Sequence, residues 1–261
     1  MEQNRRGRVR VEPTAKRVRV YLDGRAIADS TRVLMVWEVP YYPTYYFPLD
    51  DVDRGLLQAT GETRHSPSRG EAHVHSVGDR QDAALVYLDS PMEEIKGHVR
   101  FDWGAMDAWF EEDEEIFTHP RDPYSRVDIL ASSRHVRVEI DGVTVADSHS
   151  PRILFETGLP PRYYLPKTDV RLDLLEHTDT VTHCPYKGEA EYWSVVLPDA
   201  DAGVDKGADK GADKDAHKDI VWSYRMPLPE SQKIAGLMSF YNEKVDIYLD
   251  GVLQERPKAK F

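Results

Sequence analysis

The only cysteine of the chain, Cys184, lies in the segment THCPYKGEAEYW, residues 182–193, beside groups that could assist chemistry. A cysteine nucleophile needs a base within hydrogen-bond reach or a nearby cation that favours the thiolate. His183 is adjacent, but neighbouring residues of a strand point to opposite faces, so it can act as the base only if Pro185 redirects the chain. Lys187 could stabilise a thiolate, and Glu189 could orient Lys187. The candidate catalytic residues are therefore Cys184, Lys187 and Glu189, with no triad signature elsewhere in the sequence.

The residues around this segment also fit a small-molecule pocket, in which apolar walls carry a few convergent polar groups. Lys187 and Arg152 would bind an anionic or carbonyl group of the ligand, between walls of aromatic side chains. Any single aromatic residue at strand spacing usually packs in a core. The pocket interpretation therefore depends on the aromatic residues taken together with Lys187 and Arg152. The residues predicted to bind the ligand are Arg152, Glu156, Tyr163, Tyr164, His183, Cys184, Tyr186, Lys187, Glu189, Trp193 and Trp222.

A metal site has less support. A structural zinc site needs four cysteine or histidine ligands, usually as paired C-x-x-C units, and the chain has one cysteine. His73 and His75 of the HVH segment share one face of a predicted strand, with His65 as a third ligand, but surface strands produce such pairs by chance. We therefore predict no metal and no other cofactor.

Cys184, Lys187 and the other residues predicted to bind the ligand belong to the second of two copies of one sequence. VRVYLDGRAIADS begins at Val18 and VRVEIDGVTVADS begins at Val136, and the similarity continues well beyond these segments. Aligned by the repeat, Cys184 falls on Ser66 and Lys187 falls on Arg69, whereas the proline and glycine residues around them are retained. Either the second copy kept a functional site that the first copy lost, or the retained proline and glycine residues only shape a loop and the residues between them vary without functional constraint.

The repeat divides the chain into a divergent first domain at residues 1–118, a linker with the strand that leads into the second domain at 119–133, and a second domain at 134–261. Only the second copy contains the low-complexity segment DAGVDKGADKGADKDAHKD, at about residues 200–219. Its alternating charges with glycine and alanine have almost nothing to bury, so we expect a disordered loop. Two copies in one chain also predict an intramolecular pseudo-dimer, with the halves related by an approximate two-fold axis.

The local pattern is that of β-structure. Three segments, VRVYLDG, VRVEIDG and VDIYLDG, alternate apolar and polar residues and end in Asp-Gly, a favoured hairpin turn. The best helical segment is DVRLDLLEH, which Thr168 could cap, with Val170 and Leu174 on one face. The predicted fold is mainly β, with two tandem domains of coiled antiparallel sheets, each with at most one short helix.

The composition excludes some classes of partner. The formal net charge of −12 argues against general nucleic-acid binding, because phosphate contacts require clustered lysine and arginine. The basic start, RRGRVRVEPTAKRVR, alternates and is interpreted as edge strands. No window approaches the ~18 apolar residues of a membrane span, and one cysteine allows no intrachain disulfide. We therefore expect a cytoplasmic protein that binds neither nucleic acid nor membrane.

The second copy carries the motifs of a known family. VRVEIDGVTVADS, THCPYKGEAEYWSV and IAGLMSFYNEKVDIYLDG, with ILFETGLPPRYYLPKTDVRLDLLE between the first two, resemble the domain-of-unknown-function 427 family of bacteria and fungi. The resemblance covers nearly all of residues 134–251 apart from the insertion, and residues 16–117 resemble the family more loosely. The stretch T-x-C-P-Y-K-G-E-A is its most specific motif.

The resemblance mainly implies a fold. The family is similar to the β-tent class of coiled, roughly orthogonal sheets, which methionine sulfoxide reductase B and the ligand-binding domain of cereblon share. Several such relatives hold zinc by paired C-x-x-C motifs that this chain lacks, so side-chain packing is expected to replace the metal. They use an aromatic-lined cleft between the sheets, which implies a similar cleft here. The family is also described as nucleotidyltransferase-like, but the chain has no G-S-x-x-acidic motif and no glycine-rich phosphate loop.

The function predicted from the sequence is binding of a small polar or planar molecule of unknown identity in such a cleft, chiefly in the second domain. The first domain would be a degenerate partner. Two alternatives stay open: a hydrolase or transferase with Cys184 as its nucleophile, and a structural or interaction protein.

Overall fold

The computed structural model describes residues 9–197 and 217–258. The chain divides into two compact units, Met1–Asp122 and Pro123–Phe261. The segment at about 200–219, predicted to be a disordered loop, lies outside the described residues except for 217–219, which form a turn.

The first unit is built from β-strands and short 3-10 turns. Its strands are β1 (Arg10–Pro13), β2 (Val18–Leu22), β3 (Arg25–Ser30), β4 (Leu34–Trp37), β5 (Thr44–Pro48), β6 (Leu57–Ser66), β7 (Gly70–Val77), β8 (Arg80–Tyr87), β9 (His98–Phe101), β10 (Ala108–Glu111) and β11 (Glu114–Ile116). Seven of them form a sheet in the order β1-β4-β5-β9-β8-β7-β6, and four form a sheet in the order β11-β10-β2-β3. The 3-10 turns lie at Leu49–Asp51, Arg54–Leu56, Glu93–Ile95 and Trp103–Ala105.

The second unit repeats this arrangement. Its strands are β12 (Val127–Ala131), β13 (Val136–Ile140), β14 (Val143–Ser148), β15 (Arg152–Glu156), β16 (Arg162–Leu165), β17 (Leu175–Cys184), β18 (Gly188–Val195), β19 (Val221–Ser223), β20 (Met238–Phe240), β21 (Asp246–Leu249) and β22 (Val252–Leu253). The seven-stranded sheet has the order β12-β15-β16-β20-β19-β18-β17, and the four-stranded sheet has the order β14-β13-β21-β22. Each strand therefore has a counterpart at the same place in the first unit, which confirms two tandem, mainly β copies.

The Asp-Gly pairs form the predicted hairpin turns. Asp141 and Gly142, between β13 and β14, have φ values of 48° and 78°. Asp23-Gly24 and Asp250-Gly251 adopt the same left-handed backbone. Both central residues of this hairpin turn need positive φ, which explains the choice of Asp-Gly at all three places.

The helix predicted at DVRLDLLEH is replaced by two 3-10 turns, Lys167–Asp169 and Leu172–Leu174, and β17 begins directly afterwards. Thr168 lies inside the first turn and not at its cap. The buried Val170 instead forms an isolated bridge with Ala146, so tertiary pairing overrides the local helical pattern. A third 3-10 segment runs from Pro229 to Ile234. Within residues 9–197 and 217–258, none of the helical segments has the length and hydrophobicity to cross a membrane.

The seven-stranded sheet of the second unit has an apolar cluster on each face. The larger cluster joins it to the four-stranded sheet and contains Val138, Leu165, Val221 and Phe240. The second cluster covers the other face, which we call the outer face, and it consists of Ile129, Leu154, Tyr164, Ala190, Tyr192, Trp222, Tyr224 and Ile234. Adjacent residues of one strand, such as Leu165 and Tyr164, contribute to opposite clusters because side chains alternate along a strand.

Candidate functional site

The outer face of the second unit contains a cavity of about 150 Å³. We call it the aromatic cavity, because five of its ten lining residues are tyrosine or tryptophan. It is lined by Glu156, Leu159, Pro160, Arg162, Tyr164, Lys187, Tyr192, Trp222, Tyr224 and Tyr241. The cavity therefore lies away from the four-stranded sheet, and not in the cleft between sheets that the sequence led us to expect.

Strand pairing assembles the aromatic wall. On β16, Tyr164 faces the cavity with Arg162, two residues earlier. Across the sheet, Tyr164 pairs with Ser239, Ser239 pairs with Trp222, and Trp222 pairs with Tyr192. Directly paired residues share a face of the sheet, so four neighbouring strands present one row to the same side.

Lys187 enters the cavity from the turn between β17 and β18. In this turn the Lys187 backbone amide donates to the Cys184 carbonyl over 3.3 Å. The Lys187 ammonium donates to Glu156 Oε2 over 2.6 Å, and the two side chains are only 12% and 10% exposed. Burial alone would lower the pKa of Lys187, but the neighbouring Cys184 and Glu156 raise the pKa above its ordinary value. Lys187 is therefore a buried cation that one carboxylate neutralises.

The aromatic side chains hold one another in place. Trp222 Nε1 donates to the hydroxyl of Tyr164 over 3.1 Å, and the two rings are nearly perpendicular. Burial raises the pKa of Tyr164 to about 12, so this hydroxyl stays neutral. The Trp222 ring also contacts Tyr241, with ring centroids 4.7 Å apart. The Tyr192 hydroxyl and Thr182 Oγ1 form a hydrogen bond of 2.8 Å. The wall is thus fixed by specific contacts.

Arg162 forms a second neutralised pair. Its two guanidinium nitrogens each donate to a Glu243 oxygen over 2.7 Å. The guanidinium lies 5.7 Å from the ring centroid of Trp222 and 5.8 Å from that of Tyr241. Although burial raises the pKa of Glu243, the hydrogen bonds from Arg162 lower it overall, so Glu243 remains ionised. Both cations of the cavity are therefore balanced by carboxylates.

Two hydrogen-bonding groups of the cavity have capacity left. An ammonium group has three hydrogens, and the only hydrogen bond that the Lys187 ammonium makes to the described residues is the one to Glu156. Tyr224 is 5% exposed, and its hydroxyl makes no hydrogen bond within the described ranges. Burial raises the pKa of Tyr224, so the hydroxyl stays protonated and can donate.

A comparison with known families supports the repeat that the fold displays. Residues 10–112 and 128–251 match a family model described as a domain of unknown function (DUF427). The chain belongs to the DUF427 family. No curated protein matches the chain. The two matched segments confirm the resemblance and the two tandem copies, and they assign no activity.

Four of the residues predicted from the sequence line the aromatic cavity of the second DUF427 copy: Glu156, Tyr164, Lys187 and Trp222. Tyr163 and Trp193 lie instead in the core between the two sheets, because strand alternation turns them to the inner face. There the Trp193 ring contacts the His177 ring, with centroids 5.2 Å apart.

Glu189 does not orient Lys187. It pairs across the strands with His183, and the carboxylate lies 3.2 Å from His183 Nε2 at the surface. The carboxylate that holds Lys187 is Glu156, from the distant strand β15. His183 is likewise exposed, which agrees with the expectation that it faces away from Cys184.

Three further predicted residues lie near the cavity without lining it. Cys184 is half-buried, and its side chain interacts electrostatically with Lys187 and Tyr224. Arg152 pairs with Tyr164 in the sheet but is absent from the lining. Tyr186 uses its carbonyl to accept a hydrogen bond from Ser231 Oγ over 3.0 Å.

Six lining residues are absent from the predicted ligand-binding set: Leu159, Pro160, Arg162, Tyr192, Tyr224 and Tyr241. Alternation along a strand could have found two of them, since Arg162 and Tyr224 lie two residues from Tyr164 and Trp222. Tyr241 follows β20 and offered no such signal.

The first DUF427 copy keeps the buried ion pair and changes its surroundings. Arg69 lies 2.6 Å from Glu38, and the Tyr46 hydroxyl donates to Glu38 over 2.7 Å. The register of the sheets places Leu85 where the second copy has Trp222, and Arg100 where it has Ser239. Arg100 approaches Glu38 to 3.5 Å. The aromatic wall is thus a property of the second copy.

Proposed function

We propose that the aromatic cavity of the second DUF427 copy binds a small, planar, uncharged molecule that carries a hydrogen-bond acceptor. The charge balance of the cavity is the observation that carries this proposal. Lys187 and Arg162 are each neutralised by a carboxylate, at 2.6 and 2.7 Å. A charged ligand would lose its hydration without gaining a free counter-charge, which is costly.

The walls favour a flat ring. Trp222, Tyr241 and Tyr164 present aromatic surface, and aromatic pairs gain stability from offset or edge-to-face contacts. The volume of about 150 Å³ also limits the ligand. An engineered apolar cavity of about this volume binds benzene, so a single substituted ring is the expected size.

The polar groups favour an acceptor such as a carbonyl oxygen. The Lys187 ammonium and the Tyr224 hydroxyl both have donors that the described residues leave unused. A carbonyl between them would satisfy these donors and fix the orientation of the ring.

Three small molecules that share a single benzene ring but differ in charge test the proposal. Benzamide, benzoate and benzylamine are titrated into the full chain and followed by calorimetry and by tryptophan fluorescence. We expect benzamide to bind more tightly than the other two by about tenfold or more. Tighter binding of benzoate would contradict the charge argument, and no saturable binding of any probe would contradict the proposal itself.

A pair of matched variants locates the binding. Trp222→Leu introduces the residue type of the first copy, so benzamide affinity should fall by about tenfold or more. Trp193→Leu removes an indole from the opposite face of the same sheet and should leave the affinity unchanged. Equal losses in both variants would place the ligand elsewhere.

Cys184→Ser distinguishes binding from covalent chemistry. The thiol does not line the cavity, so the variant should bind benzamide as the wild-type chain does. Loss of binding in this variant would favour a direct role of the thiol.

A further inference from the structure

A second group of polar side chains lies at one end of the β13–β14 hairpin, apart from the aromatic cavity. His135, Asp147 and His149 each offer a ligand atom, and these atoms lie within 4.8 Å of one another. We propose that these three side chains bind a divalent transition-metal ion of the zinc type.

Strand register brings the three residues together. Val136 pairs with Ser148 and Arg137 pairs with Asp147, so His135 comes opposite His149 where β13 begins and β14 ends. Asp147 lies in β14 and His149 directly follows its last residue, and the ligand atoms of both lie on the same side as that of His135. The two imidazole rings stack with centroids 4.2 Å apart, and His135 Nε2 lies 2.7 Å from Asp147 Oδ1.

The donor set suits such an ion. Imidazole nitrogen and carboxylate oxygen both bind zinc, and three protein ligands leave an open position for water or another ligand. Bonds of 2.0–2.1 Å place tetrahedral ligand atoms about 3.4 Å apart. Because His149 and Asp147 are exposed, rotation of their side chains can bring the three atoms from within 4.8 Å to that spacing.

The neighbouring arginines are occupied elsewhere. Arg134 Nε donates to Asp250 over 2.7 Å. Arg137 forms an ion pair with Glu139, and its guanidinium lies 4.2 Å from the ring centroid of Tyr248. Among the described residues, Asp147 has no arginine partner, so its carboxylate is available to a metal ion.

The first DUF427 copy shows the contrasting arrangement. The repeat aligns His135 with Arg17, Asp147 with Asp29, and His149 with Thr31. There Arg17 Nε donates to Asp29 over 2.7 Å. A fixed cation thus neutralises Asp29, whereas the second copy has two imidazole side chains beside Asp147. The proposal departs from the sequence-based expectation of no metal, because His135 and His149 are far apart in sequence and match no ligand spacing.

Calorimetric titration of the full chain with zinc chloride tests the site. The wild-type chain should bind one equivalent, and His149→Thr or His135→Arg should weaken binding by about tenfold or more. Both substitutions are at the surface and copy the first unit, so folding should be retained, which thermal unfolding checks. The control is His73→Ala with His75→Ala, which removes the HVH pair and should leave binding unchanged. Loss of binding in the control and not in His149→Thr would overturn the proposal, as would absence of binding to the wild-type chain.

A gain-of-site variant provides an independent test. Arg17→His with Thr31→His gives the first copy the same three side chains at the same register. The stoichiometry should rise from one zinc to two. A stoichiometry that stays at one would overturn the claim that this register and these three side chains form the site.

Discussion

At the scale of single residues, the buried cation–carboxylate pair is the feature that both copies share. Lys187 with Glu156 and Arg69 with Glu38 join equivalent turns to the ends of equivalent strands in the two units. The pair therefore has a structural role in each copy, while the aromatic residues around it distinguish the second. A buried pair contributes little net stability, but loss of one partner leaves the other charge without compensation.

We expect Lys187→Met to destabilise the protein strongly. The Glu156 carboxylate would stay nearly buried without a cation, which costs about 3–5 kcal/mol. The double variant with Glu156→Gln should recover part of that loss, because no charge remains. Urea unfolding of the two variants measures the difference. A loss below about 1 kcal/mol in the single variant, as for an exposed pair, would contradict this prediction.

Tyr164 should make stability depend on alkaline pH. Its pKa rises from 10.0 to about 12 because of burial, so the folded state holds the proton more tightly than the unfolded state. The stability that the folded protein gains from keeping Tyr164 protonated is complete below pH 10.0 and is lost as the pH rises to about 12. Two units of pKa correspond to about 2–3 kcal/mol. Tyr164→Phe should reduce the loss of stability over this range, measured by urea unfolding at several pH values, and an unchanged slope would refute the assignment.

At the scale of elements, the turn between β17 and β18 determines where Lys187 lies. Gly188 ends this turn with φ of 95°, and Gly70 ends the equivalent turn with φ of 78°. Both values are in the left-handed region that favours glycine. A side chain at Gly188 would meet Leu228 at 3.5 Å, whereas one at Gly70 would meet Pro91 at 2.6 Å.

The two glycines should therefore differ in their tolerance of alanine. Gly188→Ala should lower the free energy of unfolding by about 1–2 kcal/mol, the backbone cost alone. Gly70→Ala should cost more, because the new methyl group also overlaps the ring of Pro91. Thermal unfolding of both variants checks the order, and equal or reversed losses would show that Pro91 moves away freely.

At the scale of the whole molecule, each unit has apolar clusters made only of its own residues. A unit with its own core and complete sheets can fold without its neighbour. The repeat thus combines one unit that has the aromatic cavity with one that has a related but different interior.

We expect residues 123–261 to fold alone and to keep the aromatic cavity. The fragment should show a β-type circular dichroism spectrum, unfold cooperatively, and bind benzamide as tightly as the full chain does. An unfolded fragment would show that the first unit is required for stability. A folded fragment without binding would show that the cavity depends on the first unit.

Much of the fold could be predicted from the sequence. Val18 and Val136 begin matching segments whose alternation and Asp-Gly turns are local properties of the chain, so tandem β copies and their hairpins follow directly. The helix at DVRLDLLEH was predicted wrongly, because the pairing of Val170 with Ala146 and the start of β17 depend on distant residues.

The sequence by itself determined the repeat, the strand periodicity and the family, and it singled out Lys187, Glu156 and Trp222, which lie together in one cavity. Only the tertiary structure decided which face of the sheet holds the cavity and which carboxylate holds Lys187. Alternation separates the residues of a strand into two faces, but the order of strands decides what covers each face. Glu156 reaches Lys187 and Glu243 reaches Arg162 through that order, which no local pattern records.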